Sequence, residues 1–285
     1  MSSAMIKDIE SLAETSVHLD GQAFKALSTN HVQTLAGRYN IAGRDIEIAA
    51  LNAGIIPQRY SRNMKTLSPR EQALLLASSA TVVGLGGLGG NVLELMARLG
   101  VGTFYVIDGD TFEESNLNRQ LLCTQDTLGI NKAWAAAKRI EVINPSVVVH
   151  PYSEYLREGN SAAIIEKSSV VVDCLDNVKD RFVLERAAKK AGRPLVSAAV
   201  AGLTGHAMTV FPEDPGLKLI YGSPEDLAGA GAQTILGCPP QAVALLAACQ
   251  CSEVVHVLLN KKGLLRNRML AVDLEDNTFE VVTLL

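Results

Sequence analysis

The chain has 285 residues, of which 48% are hydrophobic and 20% are charged, and it carries a formal net charge of −4. A chain of this length and composition can bury a full core as one large or two small domains, which excludes a mainly disordered protein. Because the charge balance is acidic and no run of Lys or Arg forms a basic stripe, neither nucleic acid nor an anionic membrane is an expected partner.

The first residues, 1–10, lack the basic start and apolar centre of a signal peptide, so we expect a cytoplasmic protein. The longest apolar stretch, residues 242–259, contains Glu253 and His256, which favours a buried helix over a membrane span. The cysteines are scattered and odd in number, as expected of reduced thiols, and none forms the Cys-x-x-Cys pair of a structural zinc site: Cys123, Cys174, Cys238, Cys249 and Cys251.

The amino-terminal part, residues 1–56, is predicted to be a small helical extension. Apolar residues there recur at helical spacings, including Phe24 and Leu27, and glycines separate the segments. Residues 57–285 form the second predicted domain. It opens with Ser68, Pro69 and Glu71, an N-cap pattern that predicts a helix ending near residue 77.

Strand and helix signals then alternate along the chain, which indicates an α/β fold with a mainly parallel, Rossmann-like sheet flanked by helices. The predicted strands cover residues 81–83, 103–107, 147–149, 170–174 and 194–198, and the predicted helices cover residues 90–99, 132–142 and 181–191. A strand at 207–211, a mobile surface loop at 212–237, a helix at 241–259 and closing antiparallel strands at 269–273 and 278–284 complete the prediction.

A glycine-rich turn, from Gly84 to Gly89, follows the first predicted strand and opens a helix. Backbone N–H groups and the helix N-terminus can approach a nucleotide there, with no side chain in the way. Alone the motif is equally typical of close strand–helix packing or of an NAD dehydrogenase. The next strand ends in Asp108 and Asp110, where Rossmann domains place an acid on the ribose hydroxyls.

Polar side chains just beyond this acidic strand end are not typical of a dehydrogenase. Ser115, Asn116, Asn118 and Arg119 lie within nine residues of Asp110 and could hold phosphate oxygens. They predict a nucleotide site at this edge of the sheet.

Six motifs, in the order in which they occur along the chain, resemble the adenylation core of the ThiF/MoeB/HesA enzymes. These enzymes are related to ubiquitin-activating enzymes. The resemblance spans roughly residue 59 to the end of the chain. The motifs are the glycines at 84–89, Asp108-Gly109-Asp110, the Ser-Asn-Leu-Asn-Arg-Gln run at 115–120, Gly129-Ile130-Asn131-Lys132, Ile143-Asn144-Pro145 and Asp173-Cys174-Leu175-Asp176-Asn177.

The resemblance implies ATP and Mg²⁺ as cofactors. Gly86 and Gly87 would lie at the nucleotide, and Asp108 would bind the ribose. Arg119 and Lys132 would contact phosphates, and Asn118 would orient a phosphate or substrate oxygen. Asp176 would hold Mg²⁺, with Asn177 beside it at the nucleotide. Arg181 is not included in the predicted site, because it could begin the next helix or pair with Asp176.

A further part of the resemblance lies upstream, at residues 59–63. Arg62 matches a family arginine that reaches the ATP of the neighbouring subunit, which implies a homodimer, although Asn63 departs from the usual Gln. The alternative is that Arg62 is a surface arginine without a role in the site.

The chain departs from many family members at the two Cys-x-x-Cys pairs that bind zinc, because residues 215–221 replace the first pair and no second pair follows.

Cys238 is a candidate for a covalent intermediate with the substrate, but a structural role is favoured. Gln250 and Glu253 resemble a family helix motif and are predicted to be structural, and none of the histidines is assigned to the site.

The resemblance implies ATP-dependent adenylation of the C-terminal carboxylate of a ubiquitin-like sulfur-carrier protein that ends in Gly-Gly. Two alternatives remain open within the family. One is activation of a small-molecule or tRNA carboxylate, and the other is a non-catalytic homologue that binds a partner.

Overall fold

The computed structural model describes residues 3–223 and 236–285. It divides into two compact units. The N-terminal unit comprises residues 1–78, 96–103 and 140–148, and the sheet unit comprises residues 79–95, 104–139 and 149–285.

The N-terminal unit combines helices with a small sheet in the order β1-β2-β3, where β1 and β2 are antiparallel. Its core is formed by apolar residues of the helices together with Leu27 of β2, all fully or nearly fully buried. The elements are α1 Ser3–Leu12, β1 Glu14–Val17, β2 Ala23–Leu27, α2 Thr29–Tyr39, α3 Gly43–Asn52, β3 Ile56–Pro57, a 3-10 helix Gln58–Tyr60 and α4 Pro69–Ala77.

The prediction that residues 1–56 hold only helices is wrong at the β1–β2 hairpin, because Phe24 and Leu27 lie in a strand. Asp20 and Gly21 form the turn, and the φ of Gly21 is +83°, a left-handed conformation that glycine adopts without strain. The predicted start of α4 is confirmed. Ser68 Oγ accepts a hydrogen bond from the backbone N–H of Glu71, and Glu71 Oε2 accepts one from the N–H of Ser68 at 2.8 Å.

The sheet unit is built on eight strands in the order β11-β10-β9-β8-β7-β4-β5-β6. Strands β4, β7 and β8 are parallel, whereas β8 to β11 are antiparallel to one another in turn. The elements are β4 Ser79–Val83, α5 Gly87–Leu99, β5 Thr103–Ile107, α6 Lys132–Ile143, β6 Val148–Tyr152, α7 Glu158–Ile165, β7 Val170–Asp173, α8 Val178–Lys190, β8 Leu195–Ala201, β9 Thr204–Val210, α9 Lys218–Tyr221, α10 Pro240–Leu258, β10 Arg268–Asp273 and β11 Thr278–Thr283.

This architecture confirms the predicted α/β class, the mainly parallel sheet and the antiparallel carboxyl-terminal strands. Among the residues that the structure describes, two α-helices were not predicted. Helix α7 follows β6, and α9 lies within the segment 212–237 that was predicted to be a loop. The part of that predicted loop from residue 224 to 235 lies outside the described residues.

Helix α10 is long and apolar enough to cross a membrane by length and composition alone. It instead packs against β7, β8 and β9, and polar side chains on its buried face bond to the strands. Gln250 Nε2 donates to the carbonyls of Asp173 at 2.7 Å and Val196 at 3.1 Å, and Glu253 Oε2 accepts from Thr209 Oγ1 at 2.6 Å. These contacts confirm a buried helix and structural roles for Gln250 and Glu253.

The strand order reverses between β4 and β7, because the chain adds β5 and β6 on one side and β8 on the other. In open α/β sheets, ligands bind outside the carboxyl ends of the strands at such a reversal. The glycine turn after β4 and the loop after β7 both lie at this position.

Candidate active site

A cavity of about 1010 Å³ opens at this strand reversal, within the sheet unit. Its lining brings together most of the residues that the sequence predicted for a nucleotide site. These are Gly86, Gly87, Asp108, Asp110, Ser115, Asn118, Arg119, Lys132, Asp176 and Asn177.

The glycine turn contains glycines of two kinds. A Cβ at Gly89 would lie 1.8 Å from the carbonyl oxygen of Gly84, so strand–helix packing alone requires this glycine. A Cβ at Gly86 would meet nothing closer than Gln120 Nε2 at 3.5 Å, an ordinary contact. Because the chain itself does not exclude a side chain at Gly86, its bare backbone fits an approaching ligand.

Asp108 follows β5 and lies beside the glycine turn. Its Oδ2 accepts a hydrogen bond from the N–H of Leu85 at 2.6 Å, and its Oδ1 accepts one from the N–H of Asp110 at 2.8 Å. Burial raises the pKa of Asp108 above its ordinary value, while these hydrogen bonds act in the opposite direction. The carboxylate is thereby fixed at the cavity wall, and its predicted contact with a ribose remains a prediction.

Lys132 begins α6, and its side chain is only 8% exposed. Its Nζ lies 3.1 Å from Asp110 Oδ2, while Tyr155 Oη donates to Asp110 Oδ1 at 2.6 Å. Burial acts to raise the pKa of Asp110, but the hydrogen bonds from Tyr155 and Lys132 outweigh it and hold the pKa below its ordinary value. The ion pair positions a buried ammonium at the cavity wall.

The polar run after Asp110 divides between the cavity and local structure. Arg119 Nη1 donates to the carbonyl of Ser115 at 2.9 Å and to Asn118 Oδ1 at 3.0 Å, which orients its guanidinium at the cavity. Asn116 is buried and does not line the cavity; its Oδ1 accepts from the N–H of Glu113 at 3.1 Å and caps a 3-10 helix. This local bond is the role that the structure gives Asn116.

Gln120 also lines the cavity, although the sequence analysis did not assign it to the site. It is 6% exposed, and its Oε1 has no hydrogen-bond partner. A buried amide oxygen without a partner is costly unless a ligand or water satisfies it, so Gln120 marks the cavity wall beside Gly86 as a polar binding surface.

The loop after β7 supplies an exposed carboxylate, Asp176, to the cavity. Asn177 beside it caps α8, because its Oδ1 accepts from the N–H of Asp180 at 2.8 Å. Arg181 pairs with Asp173: its Nη1 lies 2.8 Å from Asp173 Oδ2, and it also donates to the carbonyls of Ala198 and Leu175. The Arg181 contacts fix the loop that presents Asp176.

The far end of the cavity is lined by β8, β9 and α9. His206 Nε2 lies 3.1 Å from Tyr221 Oη, and burial, helped by the charge of Arg181, lowers the pKa of His206 to about 4. The imidazole is therefore neutral at physiological pH. His206 was not among the predicted site residues, because a lone histidine beside a strand is more often a packed or surface residue than a catalyst.

Cys238 also lines the cavity, just before α10. Its Sγ lies 3.8 Å from the carbonyl oxygen of Val200, and burial raises the pKa of the thiol. A raised pKa lowers the fraction of reactive thiolate, which supports the structural interpretation of Cys238.

Arg62 is an exposed residue of the N-terminal unit. Its predicted role belongs to a second subunit and stays a prediction. Within the described ranges, no group of three or more His, Cys, Asp and Glu side chains is placed to hold a metal ion.

Comparisons with known proteins identify relatives of this chain. The ThiF family model matches residues 60–284. The SAMP-activating enzyme E1 of Haloferax volcanii is 35% identical over 232 residues, which cover 79% of this chain and 84% of the relative. The adenylyltransferase and sulfurtransferase MOCS3 of Anopheles gambiae is 31% identical over 228 residues, 78% of this chain and 51% of the relative. The chain thus spans about half the length of MOCS3 relatives.

Solved structures share the fold at low sequence identity. Escherichia coli MccB, crystallised with MccA-N7isoASN, has a TM-score of 0.70 at 19% identity, over 79% of this chain and 71% of that chain. MccB crystallised with ATP has a TM-score of 0.68 at 19% identity, over 79% of this chain and 69% of that chain. PaaA has a TM-score of 0.66 at 18% identity, over 96% of this chain and 99% of that chain.

Proposed function

Because the chain belongs to the ThiF family and is an adenylyltransferase of this type, we propose that it uses ATP to adenylate the C-terminal carboxylate of a ubiquitin-like sulfur-carrier protein. The carboxylate oxygen attacks the α-phosphorus, an acyl–AMP forms, and pyrophosphate leaves. The similarity to a SAMP-activating enzyme and to an adenylyltransferase and sulfurtransferase supports this reaction class.

The observation that carries the proposal is the composition of one cavity. The bare backbone of Gly86, the carboxylate of Asp108 and the cations of Lys132 and Arg119 line the same space. Attack on the α-phosphate increases negative charge on its oxygens, and fixed cations in a partly desolvated site stabilise that charge. The cavity thus offers groups for the ribose, the phosphates and the developing charge.

Asp176 fits the proposed Mg²⁺. Magnesium is commonly held by one or two carboxylates together with substrate phosphates, so a single exposed carboxylate at the cavity wall matches its donor set. When bound, Mg²⁺ would neutralise charge on the phosphates of ATP. Arg181 and Asn177 hold the loop that presents this carboxylate.

ATP–pyrophosphate exchange tests the reaction. Purified protein is incubated with Mg²⁺, labelled pyrophosphate and a panel of small carrier proteins ending in Gly-Gly from the same genome. The proposal predicts exchange that depends on one carrier and is lost when the terminal glycine of that carrier is removed. ATP binding without exchange for any carrier would instead favour a small-molecule or tRNA carboxylate, or a non-catalytic partner role.

The proposal includes a cytoplasmic homodimer in which Arg62 acts on the ATP of the neighbouring subunit. Arg62→Ala and Lys132→Ala should each abolish exchange. When the two variants are mixed and allowed to exchange subunits, half of the dimers are mixed and each has one intact site, so about a quarter of the wild-type activity should return. No recovery, with subunit exchange verified by a tagged copy, would show that Arg62 does not act across a dimer.

A further inference from the structure

Tyr155 presents an exposed aromatic ring to the cavity. It lies between β6 and α7, and it is 57% exposed. Exposed aromatic side chains normally sample several rotamers, but two restraints fix this ring. One holds its hydroxyl group and the other holds its edge.

The hydroxyl restraint is the hydrogen bond from Tyr155 Oη to Asp110 Oδ1 at 2.6 Å. This bond raises the pKa of Tyr155, so the phenol stays protonated and remains a donor. The edge restraint is Gly109. A Cβ at that position would lie 2.7 Å from Cε2 and 2.8 Å from Cδ2 of the ring, so only glycine allows the ring to lie there.

The position of the ring relates it to the nucleotide. Gly109 directly follows Asp108, the acid predicted to bind the ribose, and Tyr155, Leu156 and Ile107 line the same cavity. A ring held beside the ribose acid, with apolar neighbours, has the chemistry that a nucleobase requires, since every base has a π-face that stacks on an aromatic side chain.

We propose that Tyr155 is the platform on which the adenine ring of ATP stacks, and that Gly109 and Asp110 hold the platform in place. The inference rests on the proposed function, because it states how the same site recognises its nucleotide. Asp110 is a positioning residue in this arrangement. Its two oxygens hold Tyr155 on one side and Lys132 on the other. One carboxylate thereby aligns the aromatic ring at the base with the ammonium at the phosphates.

Direct binding to the purified full chain separates the ring from the hydroxyl group. The affinities for ATP and for inorganic tripolyphosphate, which lacks a base, are measured for wild type, Tyr155→Ala and Tyr155→Phe. Tyr155→Ala should weaken ATP binding roughly tenfold or more and leave tripolyphosphate binding nearly unchanged. Tyr155→Phe, which keeps the ring and its Gly109 contact, should retain most of the ATP affinity.

Two further variants complete the test. Gly109→Ala displaces the ring without changing it, and should weaken ATP binding in the same base-dependent way. Phe279→Ala removes an exposed aromatic of β11, 53% exposed and outside the cavity lining, and should bind ATP like wild type. Thermal unfolding of each variant verifies that it is folded.

Two results would overturn the inference. Tyr155→Ala could bind ATP as tightly as wild type, or it could lose ATP and tripolyphosphate to the same extent, which would mean that the residue acts only through Asp110 and Lys132. Failure of the proposed function is distinct from both, since wild-type protein would then bind no ATP or show no exchange with any carboxylate substrate.

Discussion

The ammonium of Lys132 lies 3.1 Å from Asp110 Oδ2, in a position where the lysine side chain is only 8% exposed. Asp110 supplies a hydrogen-bond acceptor that orients this ammonium before a nucleotide arrives. Binding of ATP would place phosphate charge beside an ammonium that is already oriented, so the site is organised in advance for charge stabilisation.

This pairing predicts a graded loss of activity. Lys132→Ala should lower carrier-dependent exchange about 100-fold or more, since a donor aimed at developing charge commonly contributes that much. Asp110→Asn keeps the shape but removes the anion, so a smaller loss is expected. Lys190→Ala, at the exposed end of α8, is the matched control. Asp110→Asn activity at or above the wild-type level would contradict a positioning role for Asp110.

Alanine at Gly86 and alanine at Gly89 should have opposite consequences. At Gly86 a Cβ has room, so Gly86→Ala should fold with near wild-type stability and bind ATP more weakly. At Gly89 a Cβ would lie 1.8 Å from the carbonyl oxygen of Gly84, so Gly89→Ala should lower the free energy of unfolding. Urea unfolding and ATP titration measure both effects. Undiminished ATP affinity in Gly86→Ala would show that the nucleotide does not approach this backbone.

His206 should make the protein less stable at low pH. Its pKa is about 4 in the folded chain and 6.5 ordinarily, so between these values the unfolded chain binds a proton that the folded chain does not. Stability from this group is complete above pH 6.5 and falls by at most about 3 kcal/mol as the pH drops through 4. His206→Gln should remove this contribution from the pH dependence of urea unfolding measured across the window. An unchanged pH dependence would mean that the imidazole is protonated as readily in the folded chain as in the unfolded chain.

Glu47 in the N-terminal unit should have the opposite pH dependence. Burial raises its pKa to about 7 from 4.5, although Arg59 Nε lies 3.5 Å from its Oε1 and acts to lower it. The folded chain therefore keeps a proton that the unfolded chain releases, and stability falls as the pH rises from 4.5 to 7. Glu47→Gln should remove this falling contribution and leave the rising contribution of His206 in the same window.

The contributions of His206 and Glu47 to stability change in opposite directions where their pH windows overlap. The stability of the wild type should therefore depend little on pH there, and each single variant should show the pH dependence that the remaining group causes. The double variant should again be flat. A wild-type profile that the single substitutions leave unaltered would contradict both assignments.

The sheet could be predicted because its strands are short β-branched runs between helical segments, as at β5, where the predicted and observed bounds agree. The β1–β2 hairpin was not predicted, because Phe24 and Leu27 lie at a spacing that is also typical of a helix. The Asp20-Gly21 turn signal indicates the hairpin. Helix α7 was missed because Gly159, Asn160 and Ser161 are weak helix formers, and burial of Ile164 and Ile165 stabilises it.

The glycine turn and Asp108 were predicted because they follow strand ends, and the family resemblance implied Lys132 and Asp176. The structure places all of them at one cavity, while their contacts with a nucleotide stay predictions. Tyr155 and Gln120 were not assigned, because their importance depends on what lies near them in space. Tyr155 is 45 residues from Asp110 along the chain, yet their side chains are hydrogen-bonded. Only tertiary structure shows such a pair.

The central claim is that the chain transfers AMP to a terminal carboxylate, and the mass of the carrier tests it most directly. Protein, ATP, Mg²⁺ and the carrier identified by exchange are mixed with inorganic pyrophosphatase, and the intact carrier is weighed by mass spectrometry. We predict a carrier that gains one adenylyl group at its last glycine, and no gain with Lys132→Ala or with a carrier that lacks this glycine. A carrier whose mass is unchanged while ATP is consumed, or one adenylated at an internal residue, would contradict carboxylate activation by this site.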